Sequence, residues 1–203
     1  MKFTPRSEAT RQFIIETTAG IFNTKGYAGT SLSDLTDATR LTKGSIYGNF
    51  ENKEEVALAV FNYNAARRSK IIQDKLNQAE SNKDKLLAFI TLFSSAENHV
   101  FPKGGCPLLN TGTEADDTHE PLRQRVADEV AATQTALATL IRAGINTGEF
   151  RPDTDPERVA TSIQAIIQGG IFMARTARNP LYLDTVLKTA LNLVDEMAAK
   201  PPH

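Results

Sequence analysis

The chain has 203 residues, 40% of them hydrophobic and 23% charged, with a formal net charge of −1 and a single cysteine. That length and apolar content support one large or two small folded domains, and no apolar run reaches the 18 residues that a membrane span needs. The start MKFTPRSEATRQ lacks the apolar run of a signal peptide, so a cytoplasmic location is expected, and the lone Cys106 excludes an intramolecular disulfide framework or a multi-cysteine zinc site.

Charge is uneven along the chain, with ten Lys/Arg against seven Asp/Glu over residues 1–70 and thirteen against seventeen over the remainder. The first third is therefore mildly basic, which fits a module that faces an anion and equally fits chance variation on a solvated surface. Helical periodicity runs from end to end with no convincing period-2 strand, which predicts an all-α fold of nine helices. Over residues 7–24, Phe13, Ile14, Ile21 and Phe22 form the expected inner stripe, and Gly26 supplies the stop. Ser31 caps a short helix bearing Leu32, Leu35 and Ala38, with Asp34 three residues on completing a capping box. A second short helix is predicted over 43–49. Asn52 then caps a long helix that is expected to reach Ala79, with Val56, Val60 and Tyr63 inward and Glu54 and Glu55 set against the helix dipole.

Asn82 opens the next helix, whose Leu86, Phe89, Ile90 and Phe93 form an apolar face before FPKGGCP breaks it. Further helices are predicted at 107–116, 120–146, 156–178 and 181–199. The expected domains are residues 1–51 and residues 52–203.

The segment TKGSIYGNFENKEE, residues 42–55, carries the functional signal. Two short helices joined by TRLT have the dimensions of a helix-turn-helix, whose second helix lies in a DNA major groove. Gly44 and Gly48 remove side chains where a groove wall comes close, and Ser45, Tyr47 and Asn49 offer hydrogen-bonding groups. Ile46 and Phe50 point inward toward Ile14, Phe22 and Leu35. Lys43 and Lys53 can each neutralise a phosphate, and the N-terminal amides of the following helix add an anion site. Thr30, Ser31, Arg40 and Thr42 complete the candidate DNA-contacting set.

The run TSLSDLTDATRLTKGSIYGNFENKEEV, with TRQFIIETTAGIFNTKGY before it, resembles the DNA-binding domain of the Tet repressor family of bacterial transcription regulators over about residues 8–61. Its Lys-Gly-x-Ile-Tyr-x-x-Phe-x-x-Lys core carries the resemblance. The resemblance implies a homodimer that binds a palindromic operator and responds to a small inducer in its C-terminal domain, without a cofactor. Two departures stand out. The inter-helix turn holds Arg40 where the family usually has glycine, and Thr17 and Thr18 replace small apolar residues.

In the larger domain, Phe61, Phe89, Phe93, Phe101 and Phe172, with His99, Cys106, Asn110, Thr113 and Gln168, are the candidate lining of a ligand cavity, ordinary core packing being the alternative for each aromatic. Cys106, beside Gly104 and Gly105 and ahead of Pro107, is also a candidate thiol sensor of electrophiles or oxidants, against the alternative of a buried apolar residue. Val159, Ile163, Ile166, Ile167, Gly170, Leu187, Leu191 and Val194 form the expected dimer interface, with packing within one protomer as the alternative. Glu114, Asp116, Asp117, His119 and Glu120 have metal-ligand chemistry but read better as a solvated loop, and no metal is assigned. A hydrolase or transferase is disfavoured: the histidines are His99, His119 and His203, and no nucleophile-elbow or phosphate-cradling motif is present. A DNA-binding protein that answers to a protein partner and no small ligand is a third reading.

Overall fold

The computed structural model describes residues 6–94 and 100–199. Among these, nine helices follow in order: α1 Arg6–Lys25, α2 Leu32–Thr39, α3 Lys43–Tyr47, α4 Lys53–Leu76, α5 Asn82–Thr91, α6 Pro107–Ala115, α7 Glu120–Asn146, α8 Pro156–Thr176 and α9 Leu181–Met197. The all-α expectation holds, and none of these helices is long and apolar enough to cross a membrane. The chain divides into two compact units, one of residues 1–68 and 101–127, the other of residues 69–100 and 128–203.

In the first unit, α1 turns Ile14, Thr18 and Phe22 inward. Phe13 is 46% exposed, a departure from the expected stripe, because adjacent helical residues lie about 100° apart and Ile14 already takes the inner position. Thr18 is fully buried, and its hydroxyl donates to the Ile14 carbonyl at 2.8 Å, so the threonine does not loosen the packing. Gly26 ends α1 at φ +74°, its N–H bonded to the Phe22 carbonyl. The Ser31–Asp34 capping box forms as expected: Asp34 N–H donates to Ser31 Oγ and Ser31 N–H to Asp34 Oδ2. Asn52 Oδ1 accepts from Glu55 N–H at 2.9 Å and caps α4, whose inner face carries Asn64 and Ala65 as well as Val56 and Val60, while Tyr63 is half-buried.

Helix α6 and the first turns of α7 belong to this same unit, and α6 is tied to it by polar side chains that bond distant backbone. The Glu114 carboxylate accepts from the N–H groups of Tyr27 and Ala28, both at 2.8 Å, and Asn110 Nδ2 donates to the carbonyls of Asn23 and Gly104. Gly104 has φ +101°, and a Cβ there would lie 2.8 Å from the Asn23 carbonyl oxygen, so only glycine suits that approach.

The second unit is built on α5, α8, α9 and the remainder of α4 and α7. Asn82 opens α5 as expected, with Ser81 before it as the N-cap, accepting from Asp84 N–H at 3.0 Å. Asn82 Nδ2 donates to Glu149 at 2.7 Å, and the same carboxylate accepts from Lys83 N–H at 2.8 Å and the Thr147 hydroxyl at 2.8 Å. Helices α8 and α9 pair closely. A Cβ on Gly170 would lie 2.5 Å from Val186 Cγ2, whereas Gly169 faces open space. Val159, Ile163, Ile167, Gly170, Leu187 and Val194 are all buried within the single chain, and Ile166 and Leu191 are half-buried.

Burial is the strongest single influence on Glu149 and opposes its ionisation, but the bonds from Lys83, Thr147 and Asn82 together outweigh it and hold the carboxyl at about 2. A carboxyl whose pKa falls on folding adds stability above its unfolded value, near 4.5, and loses it as pH drops toward 2. Glu149→Gln is therefore expected to cost about 1–2 kcal/mol at pH 7, with the difference from wild type shrinking to near zero at pH 2. Urea unfolding across pH 2–7 checks this, and a pH-independent difference would contradict it.

Candidate nucleic-acid interface

The sequence ATRLTKGSIYGNF, residues 38–50, builds a two-sided object from very few residues. Arg40 ends α2 in the left-handed conformation, φ 59° and ψ 19°, with its N–H bonded to the Thr36 carbonyl at 2.8 Å. Arginine thus adopts the backbone that glycine takes without steric cost, at a penalty of about 1–2 kcal/mol. Its side chain is left exposed. Thr42 then caps α3, its Oγ1 accepting from Ser45 N–H at 3.1 Å. The inner face is complete: Ile46 is fully buried and Phe50 is 2% exposed.

The outer face carries Thr42, Lys43, Gly44 and Gly48 exposed, with Ser45, Tyr47 and Asn49 half-buried around them. A Cβ built on Gly44 would meet nothing nearer than Thr42 Oγ1 at 3.9 Å, so no packing inside the protein requires glycine there. Gly48 is different. Its φ is −79°, an ordinary helical value, and a Cβ would lie 3.1 Å from the Gly44 carbonyl oxygen that its own N–H bonds. Neither Arg40 nor Lys43 takes part in an ion pair among the described residues, so two cations flank this face without an internal counter-charge.

Three other residues of the sequence-derived set are engaged inside the protein. Thr30 is 1% exposed, its hydroxyl donating to the Gly26 carbonyl at 2.6 Å. Ser31 uses its hydroxyl in the capping box. Lys53 Nζ donates to the carbonyls of Tyr27 at 2.9 Å and Thr30 at 3.1 Å and sits 4.3 Å from the Tyr27 ring centre, tying α4 to the α1–α2 loop. At the α4 N-terminus, where an anion site was expected, Asn52 and Glu55 of the protein itself accept from the amides of Glu55 and Glu51.

Arg11 on α1 was not singled out from the sequence. Its guanidinium lies 4.0 Å from the Phe50 ring centre, donates to the Asn49 carbonyl and pairs with Glu55 at 2.7 Å. The Glu51 N–H and then Arg11 hold the Glu55 carboxyl below the usual carboxylate range. A single side chain thereby fixes the exit of α3 to both α1 and α4. Its partners lie 38 and 44 residues away, a separation that local pattern does not signal.

The candidate ligand residues fall in both units. Phe61, Cys106 and Asn110 belong to the first, with half-buried Phe101 and exposed Thr113; Cys106 is fully buried at the N-cap of α6. Phe89 and Phe93 lie in the second unit with their rings edge to face at 5.2 Å, alongside half-buried Gln168 and Phe172, which is 52% exposed. His99 lies outside the described residues. The acidic run at 114–120 is used locally: Glu114 bonds the α1–α2 loop, His119 Nδ1 accepts from Leu122 N–H while Nε2 lies 3.2 Å from Glu54, and Glu120 pairs with Arg123.

Residues 14–60 match the family model for bacterial regulatory proteins of the tetR family, and residues 83–190 match that for the tetracyclin repressor-like C-terminal domain. A TetR-family transcriptional regulator from Cytophaga hutchinsonii is 46% identical, covering 98% of this chain and 100% of its own, with a TM-score of 0.95. A TetR regulator from Chloroflexus aurantiacus is 35% identical over 96% of this chain and 98% of its own, with a TM-score of 0.90. The HTH-type transcriptional repressor DhaR of Mycobacterium sp. strain GP1 is 26% identical over 87% of this chain and 88% of its own. With both portions of the sequence matched and the two short helices built as a helix-turn-helix, the chain belongs to the TetR family and is a DNA-binding transcriptional regulator.

Proposed function

We propose that the protein is a repressor that binds a palindromic operator as a homodimer through α3 and is released when a small molecule binds outside the helix-turn-helix. The observation that carries this reading is the outer face of α3, with an exposed glycine that nothing inside the protein requires and two cations beside it. Thr42, Ser45, Tyr47 and Asn49 supply donors and acceptors for base edges and sugar–phosphate, and Arg40 and Lys43 supply phosphate contacts. Lys53 acts from the inside, holding the α1–α2 loop against α4. The repressor role is supported by the repressor DhaR among the relatives.

Dimerisation is supported by the second unit, where the C-terminal end of α8 and the start of α9 leave Phe172, Met173, Leu181 and Tyr182 between 42% and 66% exposed. So much uncovered apolar surface in one place suits a self-complementary partner. Of the residues first assigned to the interface, Val159, Ile163, Ile167, Gly170, Leu187 and Val194 are buried within the protomer, while half-buried Ile166 and Leu191, with these exposed neighbours, are free to meet a partner. Two copies of α3 reach one palindrome when held about 34–36 Å apart, one turn of DNA.

Lys43→Ala is expected to weaken binding to all DNA sequences alike and to lower the salt slope by about 0.9 per protomer. Lys53→Ala is expected to lower thermal stability while leaving the slope nearly unchanged. Fluorescence anisotropy over 50–200 mM salt separates the two, and identical slopes for wild type and Lys43→Ala would remove the phosphate assignment.

Phe172→Glu is expected to convert the dimer to monomer at micromolar concentration without unfolding it, since the site is exposed in the protomer. Operator affinity should fall by at least 100-fold as the two half-sites lose their link. Sedimentation with circular dichroism reads both; a Phe172→Glu dimer with full operator affinity would place the interface elsewhere.

A further inference from the structure

Asn23 on α1 and Asn64 on α4 are 6% and 2% exposed, and the side-chain oxygen of each lacks a hydrogen-bond partner. Their amide orientations are fixed by what the nitrogens do. Asn23 Nδ2 donates to the carbonyls of Lys103 and Gly105, both at 2.9 Å, and Asn64 Nδ2 donates to the Ala19 carbonyl at 3.3 Å. Turning either amide over would set its oxygen against carbonyl oxygens, so both Oδ1 atoms remain acceptors. A buried acceptor without a donor is costly, and such groups in a folded protein mark a place where something else supplies the hydrogen bond.

Both asparagines line one cavity in the first unit, together with Phe22, Tyr27, Phe61 and Glu114. Its free volume of about 20 Å³, partly open to solvent, has room for a group the size of one water molecule. The lining contains no lysine or arginine, and its one acidic side chain is Glu114. The carboxylate accepts from two backbone N–H groups and faces no cation among the ion pairs of the described residues. Asn110, also in the wall, has its NH₂ engaged by two carbonyls, so apart from the Tyr27 and Thr111 hydroxyls, which can turn either way, the side-chain polar groups left over are acceptors.

We infer that this cavity is a binding site for a small primary ammonium, whose N–H groups bond Asn23 Oδ1 and Asn64 Oδ1. The Glu114 carboxylate in the same wall favours a cation over an anion in this space. An anion would face the Glu114 carboxylate and the two amide oxygens, and a quaternary cation would bring no donor and exceed the volume. A primary amine meets each condition: its head is the size of a water molecule and carries three donors, and its alkyl stem extends through the open side.

The test uses the full chain without DNA, so its result stands apart from the repressor reading. Methylammonium chloride, sodium chloride and tetramethylammonium chloride are compared at equal ionic strength by thermal unfolding and by titration calorimetry. Methylammonium is expected to raise Tm by about 2–4 °C near saturation, with sodium and tetramethylammonium giving no such rise. Asn64→Leu should weaken methylammonium binding by at least 10-fold. Should that variant not fold, Glu114→Gln, which removes the charge and keeps an acceptor for one of the Tyr27 and Ala28 amides, should weaken it severalfold. Equal responses to methylammonium and sodium, or a crystal grown in methylammonium that holds only a water molecule between Asn23 and Asn64, would overturn the assignment.

Discussion

A helix of five residues does not stand alone in water, because fixing its first turn costs more backbone entropy than one or two hydrogen bonds return. The exposed outer face of α3 exists only because Ile46 and Phe50 are buried on its opposite side. Each such burial contributes about 1.5–3 kcal/mol, enough together to hold the segment against its ordering cost. Everything exposed on α3 is positioned through those two side chains. The Thr42 cap sets where the helix begins, and Arg11, against Phe50, Asn49 and Glu55, sets where the chain leaves it. The Arg11–Glu55 pair is itself about one-third exposed on each side and adds little as a salt bridge. Its contribution is geometric, since it joins α1, the exit of α3 and the start of α4.

The same logic gives Lys53 and Glu114 a common task. Lys53 bonds the carbonyls of Tyr27 and Thr30 from α4, and Glu114 bonds the N–H groups of Tyr27 and Ala28 from α6. The loop between α1 and α2 is thereby held by a cation on its acceptors and an anion on its donors. That loop precedes the Ser31–Asp34 capping box, so the start of α2 is fixed on both sides. These are polar side chains completing backbone hydrogen bonds that a short loop cannot make for itself.

What the sequence revealed follows from the range of the forces involved. Helix starts at Ser31 and Asn52 are local chemistry, a side-chain oxygen meeting an amide three residues on, and were legible; Thr42 caps α3 in the same way. Ile46 and Phe50 were legible because apolar residues four apart on a short helix share one side. The α8–α9 apolar stripe was visible too, but periodicity is the same whether a helix packs on its own chain or on a second copy. Only the close approach at Gly170, beside the open space at Gly169, shows that the buried residues are internal. Lys53, read as a phosphate contact, turned out to reach loop carbonyls 23 and 26 residues away. Arg11, Asn23 and Glu114 likewise act across tens of residues, where a lone polar residue on a helix carries no pattern at all.

Gly44 offers the most direct test of the claim that the outer face of α3 meets DNA. A side chain there would enter open space, so Gly44→Leu should leave the fold intact, and replacing a helical glycine should raise its stability slightly. The same leucine would stand where the groove wall must come. Operator affinity of the Gly44→Leu protein, measured beside its Tm, is predicted to fall by at least about 100-fold, equivalent to about 2.7 kcal/mol, with Tm unchanged or higher. Unchanged operator affinity in a folded Gly44→Leu protein would contradict the account.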